Sequence, residues 1–316
     1  MDRAATSFKK PLLLSLLLLL SIALGFLPLY ASKYTVILVT SIIMHILLTV
    51  SWVLFSGPTG YISLAPAAFF GVGIYSSALF GKTISLPLVI AVGGIASFSL
   101  ALLVGVLTLR LRGIYFSMFT FGLVVLIQQV LLWFEVNKMH TRGRFVVLVD
   151  NTTIYYVMLA ILAALLLTSY AIRRSKYGLA LQSIGEEEEA ATHTGINVTT
   201  LKTITFAVSA FFMGAAGSIM ATRWTYIDPY IAFNPLLSFM PVLMAILGGM
   251  QLFCGPILGA AIFGYLEELL ITKFPYYYML IFGTIMVLVI LYLPGGLTGL
   301  IRGWRKGDVG EQHANP

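Results

Sequence analysis

Four consecutive glutamates, Glu186 to Glu189, stand together in a sequence of 316 residues of which only 10% are charged. Ser183 and Glu186 fit the S-x-x-E capping box that marks the start of a helix, and glutamates in a first turn favour the helix dipole. Gly195, followed by an apolar residue, is typical of a helix end. The pattern predicts a short capped helix over residues 184–194.

This predicted helix has two interpretations. A run of charges most often forms a face that water solvates, with no further role. Ala190 and Ala191, however, place small side chains beside the acids, and a face of small residues lets the backbone of a partner approach closely. The second interpretation is therefore a docking helix, whose contact residues are Glu186, Glu187, Glu188, Glu189, Ala190, Ala191, Gly195 and Ile196.

Glu267, Glu268 and His45 are ionisable residues inside apolar segments. Such residues mark functional sites in a membrane by default. Neighbouring helical residues point about 100° apart, so at most one of the two glutamates aims squarely inward. Either they snorkel or pair structurally, with Lys273 as an available partner, or they handle substrate or protons. His45 is either a packed, hydrogen-bonded residue or part of a pathway.

The sequence lacks the signatures of an enzyme. Gly81, Lys82 and Thr83 look like the end of a phosphate-binding loop, but a Walker A motif needs glycine at position 76, which is serine here. The single cysteine excludes an intrachain disulfide framework and a cysteine-rich metal site. No Ser/His/Asp set, paired-carboxylate site or metal cluster is recognisable. We therefore expect no catalysis and no metal or cofactor bound by this chain.

The composition is that of a membrane protein. The chain is 59% hydrophobic, with a mean hydropathy of +0.97, whereas soluble domains carry roughly 25% charged residues. A chain this apolar needs lipid as its solvent. Its net charge of +7 is then explained by Lys and Arg beside the membrane spans, so nucleic acid is not a predicted partner.

Ten segments approach the length of about 20 apolar residues that crosses a bilayer. The predicted fold is therefore an all-α integral membrane protein, a polytopic bundle of about 10 (8 to 10) transmembrane helices forming a single domain over residues 1–316. Glycine and proline interrupt several segments, which are candidates for broken or re-entrant helices. The segments are 11–30, 35–55, 61–80, 85–108, 114–134, 153–172, 201–221, 236–253, 256–272 and 276–293.

Positive charges predict the orientation of this bundle, because cytoplasmic loops carry an excess of Lys and Arg. With ten spans and a cytoplasmic N-terminus, twelve of the 19 basic residues fall on the cytoplasmic side and seven on the other. The tails 1–10 and 301–316 and the long loop 173–200 are then cytoplasmic. The long apolar run after the basic start indicates a retained first helix and not a cleaved signal peptide.

Glycine and proline also cluster in the stretch G-P-T-G-Y-I-S, residues 57–63. They free backbone polar groups, which is tolerable at membrane depth only where the backbone lines a cavity or contacts protein. The stretch is therefore either part of a translocation pathway or a tight cytoplasmic turn. Its candidate pathway residues are Gly57, Pro58, Thr59, Gly60, Tyr61 and Ser63.

Four patterns, in an order that spans most of the chain, resemble one transporter family. Residues 63–75 read S-L-x-x-A-A-F-F-G-x-G-x-Y, 178–184 read G-L-A-L-x-x-I, 189–198 read E-A-A-x-x-x-G-I-N-V and are followed by Lys202, and 293–300 read L-P-G-G-L-T-G-L. The third resembles the coupling loop of ABC importer membrane subunits. Together they resemble the LivM-type branched-chain amino acid permeases.

This resemblance implies a transport subunit of a bacterial cytoplasmic membrane. In that family the loop inserts into a groove of a cytoplasmic ATPase, so the 184–194 helix would couple transport to ATP. The implied partners are a second, LivH-like permease, two ATPases (LivG-like and LivF-like) that hold ATP and Mg²⁺, and an extracytoplasmic solute-binding protein. The chain would form half of the translocation pathway.

The chain departs from the family at several positions. Ala65 and Pro66 stand where members commonly have Gly-His, and Gly185 stands where many carry an arginine. The general importer motif continues with nine residues and I-x-L-P, but position 205 is Thr, which favours the branched-chain subclass.

Two alternatives remain at the level of sequence. Within the family, the substrate could be urea or a short amide. From another class, the chain could be an ion-coupled secondary transporter or a channel, with Glu267 or Glu268 carrying protons.

Overall fold

The structure, a computed structural model, describes residues 25–109, 111, 113–250, 253–292 and 296. Of the predicted first span 11–30, residues 25–30 are helical and the others lie outside the described residues. The two tails and most of the 293–300 pattern also lie outside them.

The described chain is built from helices and one short two-stranded ribbon. The helices are α1 (Lys33–Thr59), α2 (Pro66–Phe80), α3 (Leu86–Thr108), α4 (Ile114–Lys138), α5 (Asn151–Arg174), α6 (Lys176–Glu186), α7 (Glu188–His193), α8 (Val198–Ala221), α9 (Pro229–Ala232), α10 (Leu236–Gly248), α11 (Gly255–Lys273) and α12 (Tyr278–Tyr292). Strands β1 (Arg144–Phe145) and β2 (Tyr226–Ile227) pair antiparallel, with Arg144 opposite Ile227.

Seven stretches of the described residues are long and apolar enough to cross a membrane: α1, α3, α4, α5, α8, α9 with α10, and α11. This confirms an all-α polytopic membrane protein. The count of about ten stays a prediction, because most of the first predicted span is outside the described residues.

Two predicted spans have different ends in the structure. Segment 61–80 is helical only from Pro66, and the residues from Gly60 to Ala65 connect α1 to α2 without helical structure. Proline suits the first turn of a helix, where its missing N–H has no partner to lose. Segment 236–253 stops earlier than predicted, since α10 ends at Gly248.

Small residues bring α2, α3 and α8 into close contact. A Cβ placed on Gly73 of α2 would overlap the backbone of Gly214 on α8. Ser218 on α8 donates a hydrogen bond to the carbonyl of Gly73 (3.0 Å), and Ser97 on α3 donates to the carbonyl of Phe69 on α2 (2.9 Å). In lipid, close backbone packing and such hydrogen bonds stabilise helix association.

Helix α1 runs through the bundle and contacts α5, α6, α8, α10 and α11. Its 27 residues span about 40 Å at 1.5 Å per residue, so its two ends mark two faces of the protein. We call them the Glu188 end, where α1 terminates and α6 and α7 lie, and the Glu267 end, where α1 begins and α11 terminates.

The predicted capping box of the glutamate segment is wrong. Ser183 lies inside α6, where its hydroxyl donates to the carbonyl of Leu179 (3.1 Å). The helix continues through Glu186 because its apolar residues Leu181 and Ile184 are buried. The prediction of one helix over residues 184–194 is therefore also wrong, because the extended backbone of Glu187 separates α6 from α7.

Candidate functional site

A buried lysine joins the glutamate segment to the bundle. Lys202, in the first turns of α8, has a side chain that is only 1% exposed. Its ammonium donates to Glu188 Oε1 (2.8 Å), to the hydroxyl of Tyr61 (3.1 Å) and to the carbonyl of Leu109 (3.1 Å). A lysine ammonium has three N–H donors, so this set matches its full capacity.

Tyr61 completes this junction. Its hydroxyl donates to Glu188 Oε2 at 2.5 Å while accepting from Lys202, and the lysine ammonium lies 4.3 Å from the centre of its ring. The ring itself packs edge-on against Phe116 of α4, with centroids 5.5 Å apart. The junction therefore brings together residues of α4, α7 and α8, of the connection between α1 and α2 (Tyr61), and of the connection after α3 (Leu109).

The stretch 57–63 lies at this same junction. Gly57, Pro58 and Thr59 form the last turn of α1, and Gly60 follows in the left-handed conformation with φ of 72°. Side chains also bond to the non-helical backbone beyond it: Trp52 Nε1 donates to the buried carbonyl of Ser63 at 2.7 Å.

A cleft of ≈ 290 Å³ lies beside this stretch at the Glu188 end. Gly57 and Pro58 line it together with Glu186 of α6 and Arg173 of α5. The structure thus brings together two groups of residues, 57–63 and 184–194, that the sequence treats separately.

The four glutamates have different environments. Glu188 is partly buried at the lysine, whereas Glu186, Glu187 and Glu189 are exposed. The expected face of small residues is split, because Ala190 is exposed but Ala191 is 2% exposed. Ala191 packs in a small cluster with Ile184, Val198, Ile196 and Leu201.

The end of α7 follows the sequence prediction. Gly195 has a φ of 85°. Its N–H donates to the carbonyl of Thr192 (3.0 Å), and the N–H of Ile196 donates to the carbonyl of Ala191 (3.3 Å). These two bonds form a Schellman motif, the usual end of a helix at glycine.

At the other face, the Glu267 end, a cavity of ≈ 450 Å³ lies between α1, α10, α11 and the segment after α8. Glu267, Glu268 and His45 all line it. Among the described residues, the partner of Glu267 is His45, with Nε2 3.2 Å from Oε2, and not Lys273. Glu268 accepts from the hydroxyl of Tyr34 (3.3 Å).

Arg223 is a further charged residue of this cavity, which the sequence did not single out. Its guanidinium donates to the hydroxyl of Ser41 on α1 (2.9 Å). Burial lowers the pKa of Arg223, and the charge of Glu268 acts in the opposite direction. In the sequence, Arg223 stands directly after the predicted span 201–221, and an arginine at that position could have indicated it as a candidate residue.

The loops at the Glu267 end are held by Glu135, another residue that sequence reasoning missed. It lies at the end of α4 and is 2% exposed. It accepts from the Tyr75 hydroxyl (3.1 Å) and the Gly143 N–H (2.9 Å), and Arg144 Nε lies 3.7 Å away. This network ties the 139–150 loop, and with it the β-ribbon, to α2.

A model of the family described as "Branched-chain amino acid transport system / permease component" matches residues 34–290. The chain belongs to this family. The match includes both the Lys202 junction and the Glu267 cavity.

Individual relatives agree with this assignment. The permease is 26% identical to the high-affinity branched-chain amino acid transport system permease protein LivM of Salmonella typhimurium, over 94% of this chain and 77% of that protein. It is 25% identical to LivM of Escherichia coli K12 over the same shares. LivH of Salmonella typhimurium is 30% identical over 44% of each chain. No solved structure matches the permease.

The structure gives physical reasons for two departures from the family pattern. A side chain at Gly185 would collide with the carbonyl of Pro58, so the common arginine has no room here. Pro66 occupies the first turn of α2, where proline is favourable.

Proposed function

We propose that this permease is one of two membrane subunits of an ATP-driven importer for branched-chain or related amino acids. Residues 184–194, the coupling segment, would dock on a cytoplasmic ATPase. The complete transporter would contain a second, LivH-like permease, two ATPases that hold ATP and Mg²⁺, and an extracytoplasmic solute-binding protein. The chain supplies half of the pathway and no catalytic chemistry.

The observation that carries this proposal is the division among the glutamates. Glu188 attaches the coupling segment to the buried ammonium of Lys202, while Glu186, Glu187 and Glu189 are exposed. A helix that is merely solvated needs no such buried attachment, because burying an ammonium is costly unless it is fully paired. A docking helix needs both an anchor and an exposed face.

The same junction provides a route for mechanical coupling. A displacement of α7 acts through Glu188 on Lys202, near the start of α8. The 24 residues of α8 are about 36 Å long and lead to Arg223 in the wall of the Glu267 cavity. Because α8 also packs closely on α2 and α3, its movement would carry the core of the bundle with it and switch the pathway between faces.

This mechanism sets the orientation in the bacterial cytoplasmic membrane. The Glu188 end faces the cytoplasm, where the ATPases are, and both chain termini lie on that side. The Glu267 cavity then opens toward the solute-binding protein.

The test is co-purification of the tagged permease from native membranes, with ATP-driven uptake of L-leucine in parallel. The decisive variant replaces Glu186, Glu187 and Glu189 by lysine and keeps Glu188. We expect it to fold but to lose the ATPases and uptake. The matched control replaces the same three residues by glutamine, which removes charge without reversing it, and we expect this control to keep part of the activity.

Three results would contradict the proposal in whole or in part. Normal attachment and uptake by the lysine variant would exclude the coupling role. A permease that purifies alone and moves solute on an ion gradient would identify an ion-coupled carrier or a channel instead. Uptake of urea but not of leucine by the intact complex would correct the substrate.

A further inference from the structure

The Glu267 cavity carries charges of both signs on separate walls. Glu267 and Glu268 belong to α11, whereas Arg223 follows α8. Within the described residues, no ion pair shorter than 4.0 Å joins Arg223 to either glutamate. Arg223 contacts Ser41 instead, Glu267 contacts His45, and Glu268 contacts Tyr34. The opposite charges therefore face the cavity without neutralising each other directly.

The acidic wall has unused capacity to accept hydrogen bonds. Glu267 Oε2 is buried and accepts no hydrogen bond from the described residues, although His45 Nε2 lies 3.2 Å from it. The contact is thus close but not aligned for donation. A buried carboxylate oxygen without a donor is costly. An ammonium group in the cavity, beside the Glu267 and Glu268 side chains, would offset the negative charge of this wall.

The basic wall is suited to a carboxylate. A guanidinium presents five N–H donors in a planar fork that fits a carboxylate in a bidentate manner. Arg223 directs Nη1 to Ser41, and this hydrogen bond fixes the orientation of the fork. Arg223 is half-buried, so water screens its charge less than it would at an exposed surface.

The rest of the wall is mostly apolar and adaptable, with Asn234 as a polar exception. Its apolar side chains include Met44, Phe70, Met220, Trp224, Leu237 and Met240. Methionine is flexible and polarisable, and it fills space around ligands of differing shape. The volume of ≈ 450 Å³ lies within the range of small-molecule sites.

We propose that this cavity binds an α-amino acid zwitterion with an aliphatic side chain. The carboxylate contacts Arg223, the ammonium lies at Glu267 and Glu268, and the side chain packs on the methionine-rich wall. This inference rests on the proposed import function and assigns its substrate contacts to named residues. A neutral solute such as urea would leave both charged walls unpaired, so the cavity disfavours it.

The test measures binding of L-leucine to the purified full-length permease in lipid nanodiscs by isothermal titration. Three further probes each remove one feature: leucinol lacks the carboxylate, 4-methylpentanoic acid lacks the ammonium, and urea lacks both charges and the side chain. We expect leucine to bind most tightly and urea not to bind.

Arg223→Gln should weaken leucine binding by roughly 10- to 100-fold, since a hydrogen-bonded charge pair is lost. It should leave the weaker leucinol binding unchanged. Glu268→Gln should weaken leucine and leucinol but not 4-methylpentanoic acid. Arg223→Lys keeps the positive charge but lacks the planar fork of the guanidinium, so its affinity for leucine should be intermediate. It serves as the second variant if Arg223→Gln fails to fold.

Arg142→Gln is the matched control. Arg142 also lies at the Glu267 end but is outside the cavity lining, with Nη2 3.8 Å from the Asp228 carboxylate. Equal leucine affinity in Arg223→Gln, Arg142→Gln and the unmodified permease would overturn the site, and so would urea binding as tight as leucine.

Uptake by the assembled transporter separates this inference from the proposed function. If the complex imports leucine and Arg223→Gln does so equally well, the site is wrong while the function stands. If leucine binding depends on Arg223 but the complex hydrolyses no ATP during uptake, the site stands and the ATP-driven importer is wrong.

Discussion

Gly185 and Pro58 are in direct contact, with no space between the glycine Cα and the proline carbonyl for a side chain. Gly185 lies near the end of α6, just before the break at Glu187, and Pro58 lies in the last turn of α1. The contact therefore joins α6 to α1. Because α1 also contributes Ser41 and His45 to the Glu267 cavity, one continuous helix links the proposed docking face to the proposed substrate site.

Gly185→Ala should separate α6 from α1. A Cβ at this position collides with backbone, which cannot rotate away as a side chain can, so we expect a loss of about 1–3 kcal/mol in stability and a several-fold fall in coupled uptake. Thermal unfolding in detergent and leucine uptake measure these effects. Gly122→Ala is the control, because no atom lies within 4 Å of that Cβ and alanine favours a helix. Equal behaviour of the two variants would exclude a tight α6–α1 contact.

Glu188→Gln should remove the negative charge that neutralises Lys202. The ammonium would keep the neutral acceptors Tyr61 and Leu109 but would stay buried without a counter-charge, at a cost of about 1–3 kcal/mol. We expect a lower unfolding temperature and ATP hydrolysis that no longer drives uptake. Glu186→Gln, at an exposed position, should change stability by less than about 0.5 kcal/mol. An unchanged unfolding temperature and normal ATP-driven uptake in Glu188→Gln would refute the anchoring role.

Gly195→Val should disrupt the end of α7. The φ of 85° is costly for a β-branched residue, by roughly 1–2 kcal/mol. We expect faster hydrogen exchange at Ile196, whose N–H closes the Schellman motif, and reduced uptake. Gly195→Asn should be milder, since asparagine tolerates the left-handed region. Undiminished transport by the valine variant would argue against the need for this helix end.

Cys254, the single cysteine, is exposed and precedes α11 at the Glu188 end. The proposed orientation places it in the cytoplasm. A membrane-impermeant maleimide should therefore label it in inside-out vesicles and not in intact spheroplasts. Arg142→Cys in a Cys254→Ser background supplies the opposite reporter, and labelling of Cys254 from outside would reverse the orientation.

Several features follow from local sequence and composition. The low content of charged residues indicated a membrane protein, and the apolar segments indicated its helices, because lipid leaves the backbone few other ways to satisfy its hydrogen bonds. The glycine end of α7 was predicted because it depends on one φ angle and its neighbours in the chain.

Other features were decided by tertiary packing. The capping signal at Ser183 was overridden because burying Leu181 and Ile184 keeps α6 helical, so the break moved to Glu187. Glu188 is the anchored glutamate because α8 places Lys202 beside it. The four glutamates are adjacent and identical, so the sequence does not show which of them is paired.

The same holds for the cavity. The sequence indicates His45 and Glu267 as candidate residues. It does not show that they pair between α1 and α11, or that Arg223 lines the same cavity, because both depend on how the helices pack. Composition and local spacing determined that this chain is a helical membrane protein, and its motifs resemble those of a permease family. Which charges meet, and which face an open cavity, was decided only when helices distant in sequence packed together, since helix rotation and crossing fix the direction of every side chain.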